Sequence, residues 1–194
     1  MQRIKNTESD IINYAHEIGH IYHISGSIKD KMTEILYFNY GLSEFFSSMS
    51  EVVCVKFLGD KEIKKRHIQK ILKIILSSLV LDEFIEIVYT KGVIDENELS
   101  YIWEDLNRSY GIKDFKDWKN VFISNINKEH ILCYAIAYLC ILGYYEEIDK
   151  MTLMNFLEDS KKMFIEDLYK KYFKNLIDEC TYKKIFEYCK EWLN

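Results

Sequence analysis

The sequence predicts an all-α fold, a single helical domain that spans residues 1–194. Apolar residues recur every three or four positions along almost the whole chain, which is the spacing of amphipathic helices, and no segment sustains the alternation of a strand. The chain contains no proline, so the residue type that breaks helices most strongly is missing. Its 194 residues, 48% of them hydrophobic, are enough to bury one compact core.

The first three predicted helices cover residues 8–25, 30–40 and 42–58. Gly26, Gly41 and Gly59 lie where these amphipathic segments run out. A glycine at such a position can take the left-handed backbone conformation that ends many helices. We therefore expect one of these glycines at the end of each helix.

The next three predicted helices cover residues 62–91, 95–110 and 114–124. Gly92 and Gly111 follow the first two of them, again as C-caps. Asp95 and Glu98 have the three-residue spacing of a capping box at a helix start. The segment 62–91 carries one of the two broadest apolar faces of the chain, so we expect it to form part of the core.

The last three predicted helices cover residues 129–148, 152–174 and 181–192. The apolar run "ILCYAIAYLCILGYY" over 131–145 has 15 residues, whereas a membrane-spanning helix needs about 20. It predicts a buried helix and no membrane partner. Residues 8–58 are expected to carry the functional site, and 62–192 to form the remaining bundle.

Composition narrows the function classes and the compartment. The formal charge of −5 does not favour binding to the anionic backbone of a nucleic acid. The basic patch "KEIKKRH" (61–67) is typical of a solvated helix start. Five cysteines, an odd number without CxxC spacing, are typical of free thiols in a reducing compartment. The N-terminal segment has no apolar signal-peptide core. We expect a cytoplasmic protein.

A candidate metal site lies in "HEIGH" (16–20). His16 and His20 are four residues apart, so a helix places both rings on one face, where each can bind the same ion at about 2.0–2.1 Å. Glu17 lies about 100° further round the helix. It can reach a water on the metal more easily than the metal itself. This pattern predicts two ligands and a general base, as in a metal-dependent hydrolase.

The segment "GLSEFFSSMSE" (41–51) offers the third ligand. Glu44 lies 24 residues after His20, which leaves room for a second helix to return alongside the first. Ser47 and Glu51 share a helix face with Glu44 at i+3 and i+7. Glu44 is therefore predicted to bind the metal. Glu51 is predicted to accept a hydrogen bond from a ligand histidine, which fixes its tautomer.

The role of His23 and the identity of the metal stay open at this point. His23 shares the face of His16 and His20, and it suits a hydrogen-bonded core position as well as direct contact with a substrate. A site of two histidines and one glutamate with an open position favours Zn²⁺, although Mn²⁺ and Co²⁺ accept the same ligands.

These segments resemble a known family. "AHEIGHIYH" (15–23) and "YGLSEFFSSMSEVVCVKFL" (40–58) are similar to the HExGHxxH and ExxSxxxE elements of the oligoendopeptidase F and thimet oligopeptidase family of zinc metallopeptidases. Residues 81–112 and 117–148 resemble later helices of the same family, with progressively weaker motifs. The resemblance implies an all-α domain similar to the family's catalytic C-terminal half, without the upstream sheet.

By position, the resemblance makes His16, His20 and Glu44 the zinc ligands and Glu17 the general base. Four more residues match the remaining fixed positions of the two motifs: Gly19, His23, Ser47 and Glu51. The family hydrolyses internal bonds of short peptides inside a deep channel. Only 15 residues precede His16 here, so one wall of that channel is expected to be missing.

The segment that should stabilise the oxyanion departs from the family. "SNINKEHILCYAIAY" (124–138) lacks the expected Pro-Phe-Tyr stretch, and Asn125 stands near the expected histidine. Leu132 falls near a tyrosine position, while Tyr134 survives. His130 and Tyr134 are i and i+4 on one helix face and are the candidates to replace the missing donors. An ordinary helix-start role for His130 is the other interpretation.

Two hypotheses follow. The leading one is a zinc-dependent metallopeptidase that cleaves short or extended peptides, with Glu17 activating a zinc-bound water and Tyr134 or His130 supporting the oxyanion. The alternative is a catalytically weak or inactive zinc module that binds peptides or a partner, or one subunit of a split peptidase. In that case a second copy or a separate chain would cover the missing N-terminal half.

Overall fold

A computed structural model describes residues 7–27, 40–92, 95–113, 115–124, 128–144, 147–174 and 178–193. Over these ranges the chain forms helices and no strand, which confirms the all-α class and a single helical domain. The helices are α1 (Glu8–Ser27), α2 (Tyr40–Leu58), α3 (Lys61–Lys91), α4 (Glu96–Ser109), α5 (Trp118–Ser124), α6 (Lys128–Tyr144), α7 (Lys150–Ser160), α8 (Ile165–Tyr172) and α9 (Glu179–Leu193).

The main core lies between α2, the first half of α3, and α6. α2 is buried on almost every side: Phe45, Val52 and Val55 are at most 1% exposed. The predicted core helices α3 and α6 pack against it, and α9 closes the other side of α6. The sequence did not predict α2 as a core helix, because serines and glutamates interrupt its apolar residues.

The helix α3 joins two apolar clusters. Its 31 residues extend over about 46 Å at 1.5 Å per residue. The first half packs in the main core, and the second half packs with α4 in a smaller cluster around Phe84 and Trp103, whose rings meet edge to face at 5.1 Å. The middle of α3 packs against α6 and lines a cleft together with residues of α1.

Helix ends follow the predicted chemistry at most positions. Gly59, Gly92 and Gly111 have positive φ angles of 69°, 65° and 73°, as left-handed C-caps require. The Asp95 side chain accepts hydrogen bonds from the backbone of Asn97 and Glu98 at the start of α4. Gly26 and Gly41 are exceptions, since Gly26 lies within α1 and Gly41 lies in the first turn of α2. The predicted helix over 30–40 falls mostly outside the described residues.

The predicted helix over 152–174 is wrong in its continuity. The chain forms α7 and α8 instead, separated at residues 161–164. This break lets α8 fold back on α7, so that the buried Phe156 meets Tyr172 and Phe173 at ring distances of 5.2 and 5.7 Å. No glycine or proline marks the break in the sequence. Its cause is the aromatic packing between the two helices. No helix in the described part of the chain is long and apolar enough to cross a bilayer.

Candidate metal centre

The helices α1 and α2 run antiparallel and touch through their backbones at Gly19. A Cβ atom on Gly19 would lie 2.4 Å from the Cα of Ser47 and 2.5 Å from the carbonyl oxygen of Phe46. Such separations are far below van der Waals contact, so only glycine permits this approach. Because Gly19 lies between His16 and His20, the contact brings both histidines against the face of α2 that carries Glu44 and Glu51.

The side chains of His16, His20 and Glu44 converge. The two Nε2 atoms are 3.1 Å apart, and the carboxylate oxygens of Glu44 lie 3.6 Å from His16 Nε2 and 4.0 Å from His20 Nε2. All three ligand atoms fall within 4.8 Å of one another. Ligands at about 2.0–2.2 Å from a tetrahedral ion are separated by similar distances. This group could therefore hold a metal ion.

The outer nitrogens of both rings have partners that orient the inner ones. His16 Nδ1 lies 2.7 Å from Glu51 Oε1, and His20 Nδ1 lies 2.8 Å from Ser43 Oγ. A carboxylate only accepts, so His16 donates from Nδ1, and in the neutral ring Nε2 then carries a lone pair. If His20 donates to Ser43 in the same way, two lone pairs and a carboxylate face one point. A cation at that point would relieve their repulsion.

Glu51 holds a network of donors beneath His16. It is 2% exposed, and its Oε2 accepts hydrogen bonds of 3.2 Å from both Lys70 Nζ and the Tyr138 hydroxyl. Burial disfavours its charged form, but the His16 hydrogen bond and the charge of Lys70 outweigh burial and lower the pKa of Glu51. The carboxylate therefore stays charged and can fix the tautomer of His16.

The carboxylates around His16 shift its pKa in turn. Burial opposes its protonation, but the hydrogen bond to Glu51 and the negative charges of Glu51, Glu44 and Glu17 prevail and raise the pKa of His16. These negative charges favour a positive charge on the imidazole or next to its free nitrogen. The environment of His16 thus suits either a proton or a metal cation.

Ser47 and Tyr134 contact Glu44. Glu44 is 3% exposed, and its carboxylate accepts a hydrogen bond from Ser47 Oγ at 3.2 Å. The Tyr134 ring stacks on His16 at 6.1 Å, and its hydroxyl bonds to Glu44. Burial first, and then the Glu44 charge and hydrogen bond, raise the pKa of Tyr134. Tyr134 therefore keeps its proton and can donate a hydrogen bond at the site.

Glu17 lies on the rim of a cleft of about 800 Å³ that also reaches His16. Its side chain is exposed, on the part of α1 that does not pack on α2. The cleft is large enough for a short stretch of peptide. Thirteen of the described residues, from α1, α2, α3, α5 and α6, line it: Asn13, His16, Glu17, Glu51, Lys70, Lys73, Ile74, Ser77, Ser78, Leu81, Val121, Tyr134 and Tyr138.

The other candidates lie apart from this convergence or beyond what is described. His23 is 3% exposed and stacks on Phe46 at 5.3 Å, which favours the core role over contact with a substrate. Its burial, and secondarily the charge of His20, lower the pKa of His23 to about 4. His130 lies in α6, but its side chain is outside the described part of the chain. Asn125 is outside it altogether.

Four described residues around the centre were not predicted from the sequence: Ser43, His67, Lys70 and Tyr138. Ser43 adjoins Glu44, so its contact with His20 could have been found from the same helical offset. His67 shares a face of α3 with Ile63 and Ile71, and that apolar spacing indicates a buried ring rather than part of a solvated patch. No local signal pointed to Lys70 and Tyr138, because they reach Glu51 from distant helices.

No protein-family model matches the chain, and no curated protein or solved structure matches it either. The resemblance to the oligoendopeptidase F family therefore stays a prediction that depends on the motif residues themselves.

Proposed function

We propose that this chain is a zinc-dependent metallopeptidase that cleaves short or extended peptides. One observation carries the proposal: His16, His20 and Glu44 converge on one point, and His16 lines the same cleft as Glu17. Two imidazoles and one carboxylate are a ligand set of catalytic zinc sites, which keep a fourth position open for water or substrate.

Each residue of the centre has a chemical role in this proposal. His16, His20 and Glu44 would hold Zn²⁺, which when bound supplies Lewis acidity and lowers the pKa of water. Glu17 takes the proton from the attacking water and passes it toward the leaving amine. The Tyr134 hydroxyl, which bonds to Glu44 in this structure, would turn from Glu44 to donate its hydrogen bond to the developing oxyanion, a role worth roughly 10²–10³ in rate. Glu51 and Ser43 keep the two imidazoles oriented.

The decisive variant is Glu17→Gln. It removes the base and keeps the size of the side chain, so peptide cleavage should fall by about 10²–10⁴, while bound zinc stays stoichiometric. The measurement is cleavage of a mixed peptide library by metal-replete protein, read by mass spectrometry, with metal content determined on the same samples.

The control is Glu62→Gln at the exposed start of α3, away from the cleft, which should leave cleavage unchanged. A chelator should abolish cleavage by the unmodified chain, and zinc should restore it. Cleavage that survives in Glu17→Gln, or protein that takes up no stoichiometric metal, would rule out the proposed mechanism.

A second candidate function is a zinc module whose activity or role depends on a protein partner. The outward face of α1 supports it. Ile11, Tyr14, Ile18 and Ile21 are 48%, 50%, 60% and 63% exposed, and their spacing of three, four and three residues places them in one stripe opposite α2. Such an apolar stripe on a helix is typical of a surface that packs against another polypeptide.

A further inference from the structure

The cleft beside the metal centre has a cationic wall. Lys70, Lys73 and Ser77 lie at i, i+3 and i+7 on α3 and therefore share one helix face. All three line the cleft that His16 and Glu17 line from the opposite side. A substrate in the cleft would lie between the site helix and this face of α3.

The charge of Lys70 is already compensated. Its Nζ lies 3.2 Å from Glu51 Oε2, and the Glu51 side chain is 3% exposed. Glu51 in turn also accepts hydrogen bonds from His16 and Tyr138. Lys70 is thus part of the support of the metal centre and is not free to bind another anion without breaking that support.

Lys73 is different. Its side chain is exposed on the cleft wall, and it makes no ion pair or hydrogen bond with any residue in the described ranges. The Ser77 hydroxyl, one turn further along, likewise has no hydrogen-bond partner there. Among the residues whose side chains the structure describes, the carboxylates that line the cleft are Glu51, which is already paired, and Glu17, which belongs to the opposite rim. The cleft therefore presents an unmatched cation and a free hydroxyl side by side.

We propose that Lys73, together with Ser77, binds a carboxylate of the peptide and so makes peptides with a carboxylate near the scissile bond the preferred substrates. This inference rests on the proposed peptidase function and names the substrate class of the same site. The ammonium group and the hydroxyl both donate, and a carboxylate only accepts, so the two fit chemically. The carboxylate is either an acidic side chain or the C-terminus of a short peptide, since both present the same group.

The test measures binding rather than turnover. Zinc-loaded Glu17→Gln protein is titrated into three N-acylated hexapeptides that carry a neutral fluorophore, and fluorescence anisotropy gives each Kd. One peptide has an amidated C-terminus and no charge, one has the same sequence with a free C-terminus, and one is amidated with a single internal glutamate. We expect at least one anionic peptide to bind about fivefold more tightly than the neutral one, the upper range for an exposed charge pair.

Lys73→Gln should bring that ratio close to one, and added salt should reduce it, because exposed charges are screened. Lys65→Gln is the matched control: it removes the same charge from an exposed position of α3 that does not line the cleft, and the ratio should persist. Which anionic peptide gains affinity identifies the source of the carboxylate.

Equal binding of all three peptides would overturn the inference, and so would a preference that survives in Lys73→Gln, since the metal would then be the anion's partner. Cleavage of the same peptides by the unmodified chain is measured separately. If the peptides bind with a Lys73-dependent preference but are not cleaved, the peptidase proposal alone is contradicted. If they are cleaved but bind without that preference, this inference alone is contradicted.

Discussion

His67 is a buried histidine whose pKa lies far below the ordinary value of its side chain. It lies on α3 beneath the metal centre, is 3% exposed, and neither ring nitrogen has a hydrogen-bond partner within the described residues. Its Nδ1 is 3.8 Å from Glu51 Oε2, too far for a hydrogen bond. Burial outweighs the attraction of Glu51 and lowers the pKa of His67 to about 4. The ring is therefore neutral in the folded protein at neutral pH.

This burial predicts a loss of stability in mild acid. Between pH 6.5 and about 4 the unfolded chain holds a proton on His67 that the folded chain does not. The free energy of unfolding therefore decreases as the pH falls through this window, by up to about 3 kcal/mol from this group. In His67→Gln that contribution disappears, so the decrease between pH 6.5 and 4 should be smaller. Urea unfolding at a series of pH values measures the difference.

His23 supplies a comparison for that measurement. Its pKa is also lowered to about 4, so His23→Gln should flatten the same pH dependence, and the double variant should flatten it further. Metal is omitted from these samples, because metal binding at His16 and His20 would add its own pH dependence. An unchanged pH profile in both single variants would contradict the buried neutral state of the two rings.

At the scale of single residues, the sequence predicted groupings of site residues that belong to the same helix. His16 and His20 follow from i and i+4 spacing, and Glu44, Ser47 and Glu51 follow from i+3 and i+7 spacing. Lys70 could not be found in this way, because its contact with Glu51 depends on how α3 crosses α2.

At the scale of the elements, the backbone contact between α1 and α2 decides whether the centre assembles. Alanine normally stabilises a helix relative to glycine by about 1 kcal/mol. At Gly19 the opposite is expected, because the new Cβ would lie 2.4 Å from Ser47 Cα and must push the helices apart.

Gly19→Ala should therefore lower the free energy of unfolding by about 1–3 kcal/mol, the usual cost of overpacking. It should also weaken zinc binding by about tenfold or more, since it moves both histidines away from Glu44 and Glu51. Urea unfolding and a competitive zinc titration measure the two effects. Ser25→Ala, at an exposed position of the same helix, is the control and should change neither. A Gly19→Ala protein that is as stable and binds zinc as tightly would contradict this account of the contact.

Helix identity was predictable for most elements, whereas the break between α7 and α8 was not. Apolar periodicity and glycine caps are local signals and placed the ends of α3 and α4 well. The break at residues 161–164 carries no such signal. It arises because Phe156 packs against Tyr172 and Phe173, which are contacts between elements rather than within one.

At the scale of the whole molecule, the exposed stripe on α1 sets an expectation for assembly. α1 carries Glu8, Asp10 and Glu17 and no lysine or arginine, so its outer face is unsuited to an anionic membrane surface. A protein surface is the better match, and a second copy of the chain is the partner that can be tested directly.

We expect light scattering of the isolated chain to give about twice its mass of 23.3 kDa. Ile18→Asp places a charge in the middle of the stripe and should shift the protein to the monomer. Phe57→Asp is the control, because Phe57 is 90% exposed on α2 and outside the stripe, so the mass should not change. A monomer in the unmodified chain would contradict self-association and leave a separate partner chain as the form of the second candidate function.

The sequence by itself determined the helical class, the spacing of the two histidines, and the face shared by Glu44, Ser47 and Glu51. These features depend on positions within about two helical turns, and the helix repeat relates such positions directly. The tertiary structure alone decided that Gly19 brings the two helices into backbone contact and that Lys70 and Tyr138 surround Glu51. It also decided that Lys73 lines the same cleft as His16 and Glu17. Those relations join residues that are far apart in the chain, and they depend on how the helices pack rather than on the local pattern.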